Sequence, residues 1–349
     1  MNLLTSTLKK PALIESFDTR DWQTLISQSR MANLIGRLAY CLLESEYHHS
    51  IPAFAKWQLQ SAQKVAMRQV QQARYELSSL APLLNQRSQR WMLLKGAAYI
   101  ARDLDVAKGR SFSDIDILVD KASIKRVEFS LLGAGWQRTQ IDDYDDRYYR
   151  QWMHEIPPLK HSENRTVLDI HHNILPLTNR DCPEPEQFET QEVDVENVGT
   201  LLTLTAEDLI IHSACHLFTE SEFHNGLRDL SDLDMLFRHF SNKAPDFMQR
   251  VLTRASVLGL RRYLDLALYF CKDLFDTPVQ TQIAPPNTIT GFAFKHIFTP
   301  DHRSARTWKR HLAVFILYWR GHMLRMPLRL LIPHLLRKSL TRLQQEKTA

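Results

Sequence analysis

The stretch from Trp91 to Val119, WMLLKGAAYIARDLDVAKGRSFSDIDILV, decides how this chain folds. It opens with an apolar run that ends in Lys95-Gly96. It closes with Ser113-Asp114-Ile115-Asp116-Ile117-Leu118-Val119, where two carboxylates alternate with apolar residues. Successive side chains on a strand point to opposite faces. Asp114 and Asp116 therefore share one face, and Ile115 and Ile117 share the other. At a rise of about 3.3 Å per residue, the two carboxylates start about 6.6 Å apart and can converge on shared cations. Like charges this close repel, and each needs a partner if buried. A divalent ion such as Mg²⁺, which takes oxygen ligands and leaves positions open for phosphates, is one such partner.

Working outward, Trp91–Leu94 reads as a short strand ended by Gly96, with a helix over Ala97–Asp105 and a loop at Lys108–Ser111. After the Asp114–Val119 strand comes a helix carrying Ile124, Val127, Leu131 and Leu132, closed by Gly133-Ala134-Gly135. Trp136–Ile141 is predicted as a third strand. Asp142–Asp146 reads as a solvated acidic turn, and Tyr148, Tyr149 and Trp152 as a strand edge. Thr166–His171 alternates again and reads as a strand. Upstream, residues 1 to about 88 are helical, with a long breaker-poor stretch from Phe54 to Gln86. Downstream, Ala206–Thr219, Leu227–Phe240, Phe247–Leu258 and Arg261–Leu274 carry apolar residues at three- and four-residue spacing. This predicts an α+β protein with an α/β core, its mixed sheet flanked by N- and C-terminal helical regions. Four regions follow: 1–88 helical, 89–200 core, 201–285 helical, and 286–349 basic and amphipathic.

Composition narrows the class. Glycine is scarce, at 10 of 349 residues, which argues against a turn-rich β-sandwich and a glycine-rich nucleotide loop. The net charge of +5 is concentrated at one end. From Asp301 onward eleven Lys or Arg face only Asp301 and Glu346. Cys41, Cys182, Cys215 and Cys271 form no C-x-x-C pair, so neither a zinc ribbon nor a disulfide framework is indicated. The pattern suits reduced thiols in a cytoplasmic protein. No signal peptide is read at the N-terminus, and no apolar run reaches membrane-spanning length.

Asp169 alternates with Leu168 and Ile170 as Asp114 does with Ile115. A third carboxylate on a neighbouring strand would complete a two-metal site for phosphoryl chemistry, which needs mostly positioning and charge neutralisation. Gly96, at a strand-to-helix turn, would let phosphates approach the backbone.

These residues resemble the nucleotidyltransferase (polymerase-beta-like) superfamily: a glycine turn, an Asp-x-Asp strand and a third acid on a later strand. Within it the chain is most similar to the bacterial family called uncharacterised nucleotidyltransferase. The residues that carry this are Leu94-Lys95-Gly96, Arg110, Asp114-Ile115-Asp116-Ile117-Leu118-Val119, Asp169-Ile170-His171 and the stretch Leu227–Leu233. The resemblance covers residues 30 to 240. It implies a nucleotidyltransferase-like fold, Mg²⁺ (or Mn²⁺) on Asp114, Asp116 and Asp169, and an NTP donor, ATP among them. Lys95, Gly96, Ser111 and Ser113 would face the triphosphate, with Arg110 steadying the site. Nucleoside monophosphate would pass to an acceptor with release of pyrophosphate. Relatives are often encoded beside polysaccharide-biosynthesis genes, which implies a sugar or lipid-linked acceptor; a protein or RNA acceptor stays open. Two departures stand out. The usual Gly-Ser or Gly-Gly turn is Gly96-Ala97 here, and the spacing from Gly96 to Asp114 is longer than usual.

Other readings stay beside these. Lys95 suits a phosphate grip or a snorkelling strand end. Arg110 suits a phosphate clamp or a partner for Asp116 or Asp169. Ser111 and Ser113 suit phosphate or their own turn. His171 shares a face with Asp169 and would sit near the metals. His212 and His216, at i and i+4, suit a zinc pair or a buried helix face. Arg228 and Asp232 suit the cleft or an intrahelical pair. The basic tail suits an anionic membrane surface, a nucleic acid, or packing on its own domain, the last being preferred. Against catalysis stands a nucleotide-binding or interaction module that kept the fold and lost activity. A toxin-like RNA nucleotidyltransferase is the third reading.

Overall fold

The computed structural model describes residues 2–88, 90–333 and 337. The tail residues Leu335, Leu336, Lys338, Arg342 and Lys347 lie outside the described residues.

A seven-stranded mixed sheet forms the centre. In chain order its strands are β1 (Trp91–Leu93), β2 (Asp114–Val119), β3 (Trp136–Arg138), β4 (Leu159–His161), β5 (Val167–His171), β6 (Thr190–Val195) and β7 (Gly199–Leu204). Their spatial order is β3-β4-β5-β2-β1-β7-β6. β2 runs antiparallel to β1 and parallel to β5. β7 lies parallel to β1 and antiparallel to β6. Ile115, Ile117 and Val119 are buried on one face of β2, as the alternation predicts.

Three strands lie outside the expectation. β4 is only three residues long. β6 and β7 form a hairpin turned by Asn197 and Gly199, both at positive φ. The stretch read as an acidic turn and strand edge is instead the helix Asp143–Trp152. Asp142 caps it by accepting from the Asp145 N–H, acids fill its first turn, and Asp146 pairs with Arg150 one turn on. Such a start is favoured by the helix dipole.

Helices surround the sheet, and one cluster of buried apolar residues runs from Leu3 to Leu317. The long helix is Ala53–Asn85. The C-terminal helices are Ala206–Thr219, Gly226–Lys243, Phe247–Val257, Arg261–Phe275, Thr288–Ile297 and Trp308–Arg325. The last stops at Arg325, just before Pro327, and Ala313, Leu317 and Gly321 form its buried face. Gly321 is needed there: a Cβ would come within 2.7 Å of the Glu220 carbonyl oxygen. No helix among the described residues is long and apolar enough to cross a membrane.

Candidate active site

Parallel pairing of β2 with β5 sets the floor of the site. Asp116 lies in register with Asp169, and Asp114 is two residues along on the same face. Three carboxylates from two adjacent strands thus converge. Asp116 is the most enclosed, at 3% exposure. Its Oδ1 accepts from Lys95 Nζ at 2.7 Å and from His171 Nε2 at 3.1 Å. Burial pushes its carboxyl up, but the Lys95 ammonium and the His171 hydrogen bond outweigh this and hold it well below the usual range. Asp169 has no such support. Its Oδ1 is buried with no hydrogen-bond partner. Burial, then the charges of Asp116 and Glu155, raise its pKa to about 7. Burial and the Asp116 charge also raise Asp114.

Lys95 is the cation of this floor. It sits at the start of the short helix Lys95–Ala101 with φ of 42°, an uncommon conformation for a residue with a side chain. Burial opposes its charge, yet the neighbouring Asp116 more than compensates and raises its pKa.

Arg110 does not reach Asp116 or Asp169. Its Nε donates to Asp232 Oδ2 at 2.7 Å, and its guanidinium lies 5.1 Å from the Phe112 ring centroid. Asp232 is gripped from the other side by Arg37, Nη1 to Oδ1 at 2.7 Å. The intrahelical Arg228–Asp232 pair is therefore replaced: Arg228 bonds Asp229 at 2.7 Å instead. Gly96 lies beneath this group. A Cβ there would meet Arg110 Nη1 and Phe112 Cδ1, each at 2.8 Å. The glycine makes room for Arg110 and Phe112 and does not open onto the cleft.

The cleft above the carboxylates has a volume of about 370 Å³. Tyr148 and Tyr149, from the helix Asp143–Trp152, form one wall with Met153, His154 and Glu155. The opposite wall comes from the helical region: Ser213, His216, Glu220, Asn225, Arg228 and Asp229. Arg325 closes the rim and pairs with Glu220 at 2.6 Å. Ser113 lines this cleft, whereas Ser111 lines a separate hollow beside Gly36 and Gly109. His212 and His216 do not form a zinc pair: His212 is buried, and His216 Nε2 lies 3.3 Å from Glu220 Oε1. His171, expected near the carboxylates, is there and almost fully buried.

Sequence reasoning missed His154, Glu155, Glu220 and Arg325. Glu155 pairs with His171 through an isolated β-bridge. No local pattern announces that bridge. Only the His154-Glu155 dipeptide following three aromatic residues is visible in the sequence.

The sequence profile of the family described as uncharacterised nucleotidyltransferase matches residues 18–276. The chain belongs to that family. The match takes in Lys95, the three carboxylates, His171 and Asp232, and ends before the helix Trp308–Arg325. A crystal structure of an antigenic nucleotidyltransferase-like protein from Paracoccidioides brasiliensis is similar at 14% identity. The alignment covers 58% of this chain and 96% of that one, with a TM-score of 0.34. No curated protein matches the sequence.

Proposed function

We propose that this member of the family transfers a nucleoside monophosphate from a nucleoside triphosphate to an acceptor hydroxyl or phosphate and releases pyrophosphate. The supporting observation is the register that sets Asp116 beside Asp169, with Asp114 on the same face and Asp169 Oδ1 buried without a partner. Buried carboxylates crowded together need cations. An all-oxygen donor set on a floor with one ammonium fits Mg²⁺ or Mn²⁺. Asp114, Asp116 and Asp169 would hold the ion. When bound, it would neutralise phosphate charge and favour departure of pyrophosphate.

The chain's own groups do the rest. Lys95 Nζ, 2.7 Å from Asp116, can meet a phosphate oxygen entering the floor. Arg228 and Arg325 add charge at the rim, each tied to one carboxylate. Ser113 offers a hydroxyl beside Asp114. Asp169 would complete the site and help orient and activate the acceptor hydroxyl. The Tyr148 and Tyr149 rings offer surfaces on which a base can stack.

The test is calorimetric titration of each NTP with and without Mg²⁺, on the wild type and an Asp114→Asn/Asp116→Asn variant. Metal-dependent binding of one NTP, lost in the variant, is the expected result. No NTP binding by the wild type overturns the assignment. One observation favours a second reading, a nucleotide-binding module without catalysis: Arg110 and Phe112 cover Gly96, so phosphates cannot approach that backbone. It predicts NTP binding with no pyrophosphate release in the presence of any acceptor fraction.

The acceptor is proposed to be lipid-linked, presented at an anionic membrane surface. The outward stripe of the helix Trp308–Arg325 supports this reading. That stripe consists of Trp308, Leu312, Phe315, Trp319 and Met323, and all five are exposed.

A further inference from the structure

Beside the carboxylate floor lies a second donor set that shares none of its ligands. His154, Glu155 and His171 each present a ligating atom, and these atoms lie within 4.8 Å of one another. The backbone fixes them in place. The His154 carbonyl accepts from His172 N at 2.8 Å, and Ile156 N donates to the Ile170 carbonyl at 3.1 Å. The segment therefore runs alongside the end of β5. The His154 and His171 rings are 5.3 Å apart, tilted by 32°.

The hydrogen bonding of His171 leaves a position open. Asp116 is ionised and can only accept, so His171 Nε2 must carry the proton of their 3.1 Å bond. Burial disfavours a second proton on His171, but the Asp116 hydrogen bond and the Glu155 charge raise its pKa, so a metal ion at Nδ1 would take the place of a proton there. That atom is buried with no hydrogen-bond partner, and it lies 3.4 Å from Glu155 Oε2, which is an acceptor. His154 Nδ1 is likewise buried and unpartnered. The space between His171 Nδ1 and Glu155, with the unpartnered His154 Nδ1 nearby, therefore calls for a cation, whether a proton or a metal ion. A single proton could join only two of the three, whereas a metal ion satisfies all of them. The arrangement also matches the habit of metal-bound histidines, whose second ring nitrogen donates to a carboxylate.

We propose that His154, Glu155 and His171 bind one divalent first-row transition metal, such as Zn²⁺, at a site distinct from the carboxylate floor. Two imidazoles and one carboxylate select such ions over Mg²⁺ and leave a coordination position open. Zn–ligand bonds of about 2.1 Å space tetrahedral ligands about 3.4 Å apart, so the side chains must close in by about 1 Å. Glu155, with a partly exposed side chain, is free to make that move. Through His171 the metal would fix the orientation of Asp116.

The test uses the full chain, stripped with a chelator and titrated with Zn²⁺ alone against a competing indicator. One Zn²⁺ per chain is expected in the wild type and in an Asp114→Asn/Asp169→Asn variant. Affinity should fall at least about tenfold in His154→Ala and in Glu155→Gln. Glu155→Gln alters a half-buried side chain and guards against misfolding of the histidine variant. Co²⁺ substitution of the wild type should give visible bands of nitrogen ligation without any mutation. No stoichiometric Zn²⁺ binding overturns the inference, as does binding that survives both histidine-site variants and disappears in Asp114→Asn/Asp169→Asn. NTP binding with Mg²⁺ is read separately, so its survival alongside absent Zn²⁺ binding would sink this inference alone.

Discussion

Asp169 is the residue whose chemistry is most exposed to test. Its carboxyl is raised from an ordinary 3.8 to about 7, by burial first and then by Asp116 and Glu155. A folded value above the unfolded one means the folded chain holds a proton that the unfolded chain has already lost. The stability this brings is complete below the unfolded value and is lost as pH rises through about 7. In a chelator, the melting temperature of the wild type relative to Asp169→Asn should therefore fall between about pH 4 and pH 7. Added Mg²⁺ should flatten the fall, since the ion takes the place of the proton. A difference that stays level with pH in the chelator would show that Asp169 is ionised throughout. The three acids could be read from the sequence because period-two alternation fixes their face. The partner of Arg110 could not, since Asp232 lies 122 residues further on and only the folded chain brings them together.

Elements rather than single residues hold the cleft's far wall in place. Asp232, on the helix Gly226–Lys243, sits between the guanidinium groups of Arg37 and Arg110 and is buried with both. Burial would raise its carboxyl, but the two cations hold it low. Arg37 belongs to the helix Ile35–Leu43, which meets the loop before Arg110 backbone to backbone: a Cβ on Gly36 would lie 2.5 Å from the Gly109 carbonyl oxygen. Arg37 also donates to the Val106 carbonyl at 2.7 Å and to Ser231 at 3.0 Å. One carboxylate thus ties the N-terminal helices, the Arg110 loop and the C-terminal helices together. Replacing Arg37 by Met should cost about 3–5 kcal/mol in urea unfolding, because the remaining charges lose a buried partner. A loss below about 1 kcal/mol would mean that the clamp is held by packing alone. The core-facing helices could be read from their apolar spacing. The helix Asp143–Trp152 could not, because it faces the cleft and none of its residues is fully buried. Tyr144, Tyr148 and Trp152 do recur at four-residue spacing, but the acidic start of the segment reads as a turn and hides the helix. β6 and β7 escaped for a related reason: most of β6 is only half-covered, so its alternation is weak.

At the scale of the whole molecule, the helix Trp308–Arg325 connects surface and cleft. Its inner face packs on the helical region, as preferred from sequence. There Arg310 donates to the Ile297 and Thr299 carbonyls at 2.7 Å each, and Arg325 reaches the cleft rim through Glu220. Its outer face is not the arginine face that packing alone would leave in water. Trp308 is 71% exposed and Phe315 61%, with Leu312, Trp319 and Met323 on the same stripe. Exposed cations flank it at Arg303, Arg306, Lys309 and Arg329, and no Asp or Glu occurs from residue 302 to 345. A second copy docked on this face would bring like charges together. A nucleic acid would leave the aliphatic groups unused. An anionic lipid surface uses both, with tryptophans at the headgroup level and cations on the phosphates. The full chain should therefore sediment with phosphatidylglycerol vesicles and much less with phosphatidylcholine vesicles. Binding should weaken with salt, and a Phe315→Glu/Trp319→Glu variant should lose it at least about tenfold while still binding NTP. The paired change is chosen because both side chains lie on the exposed stripe. Equal recovery with neutral and anionic vesicles would leave the cations without a role. No recovery with either would remove the membrane from the account, and with it the reason to look for a lipid-linked acceptor first.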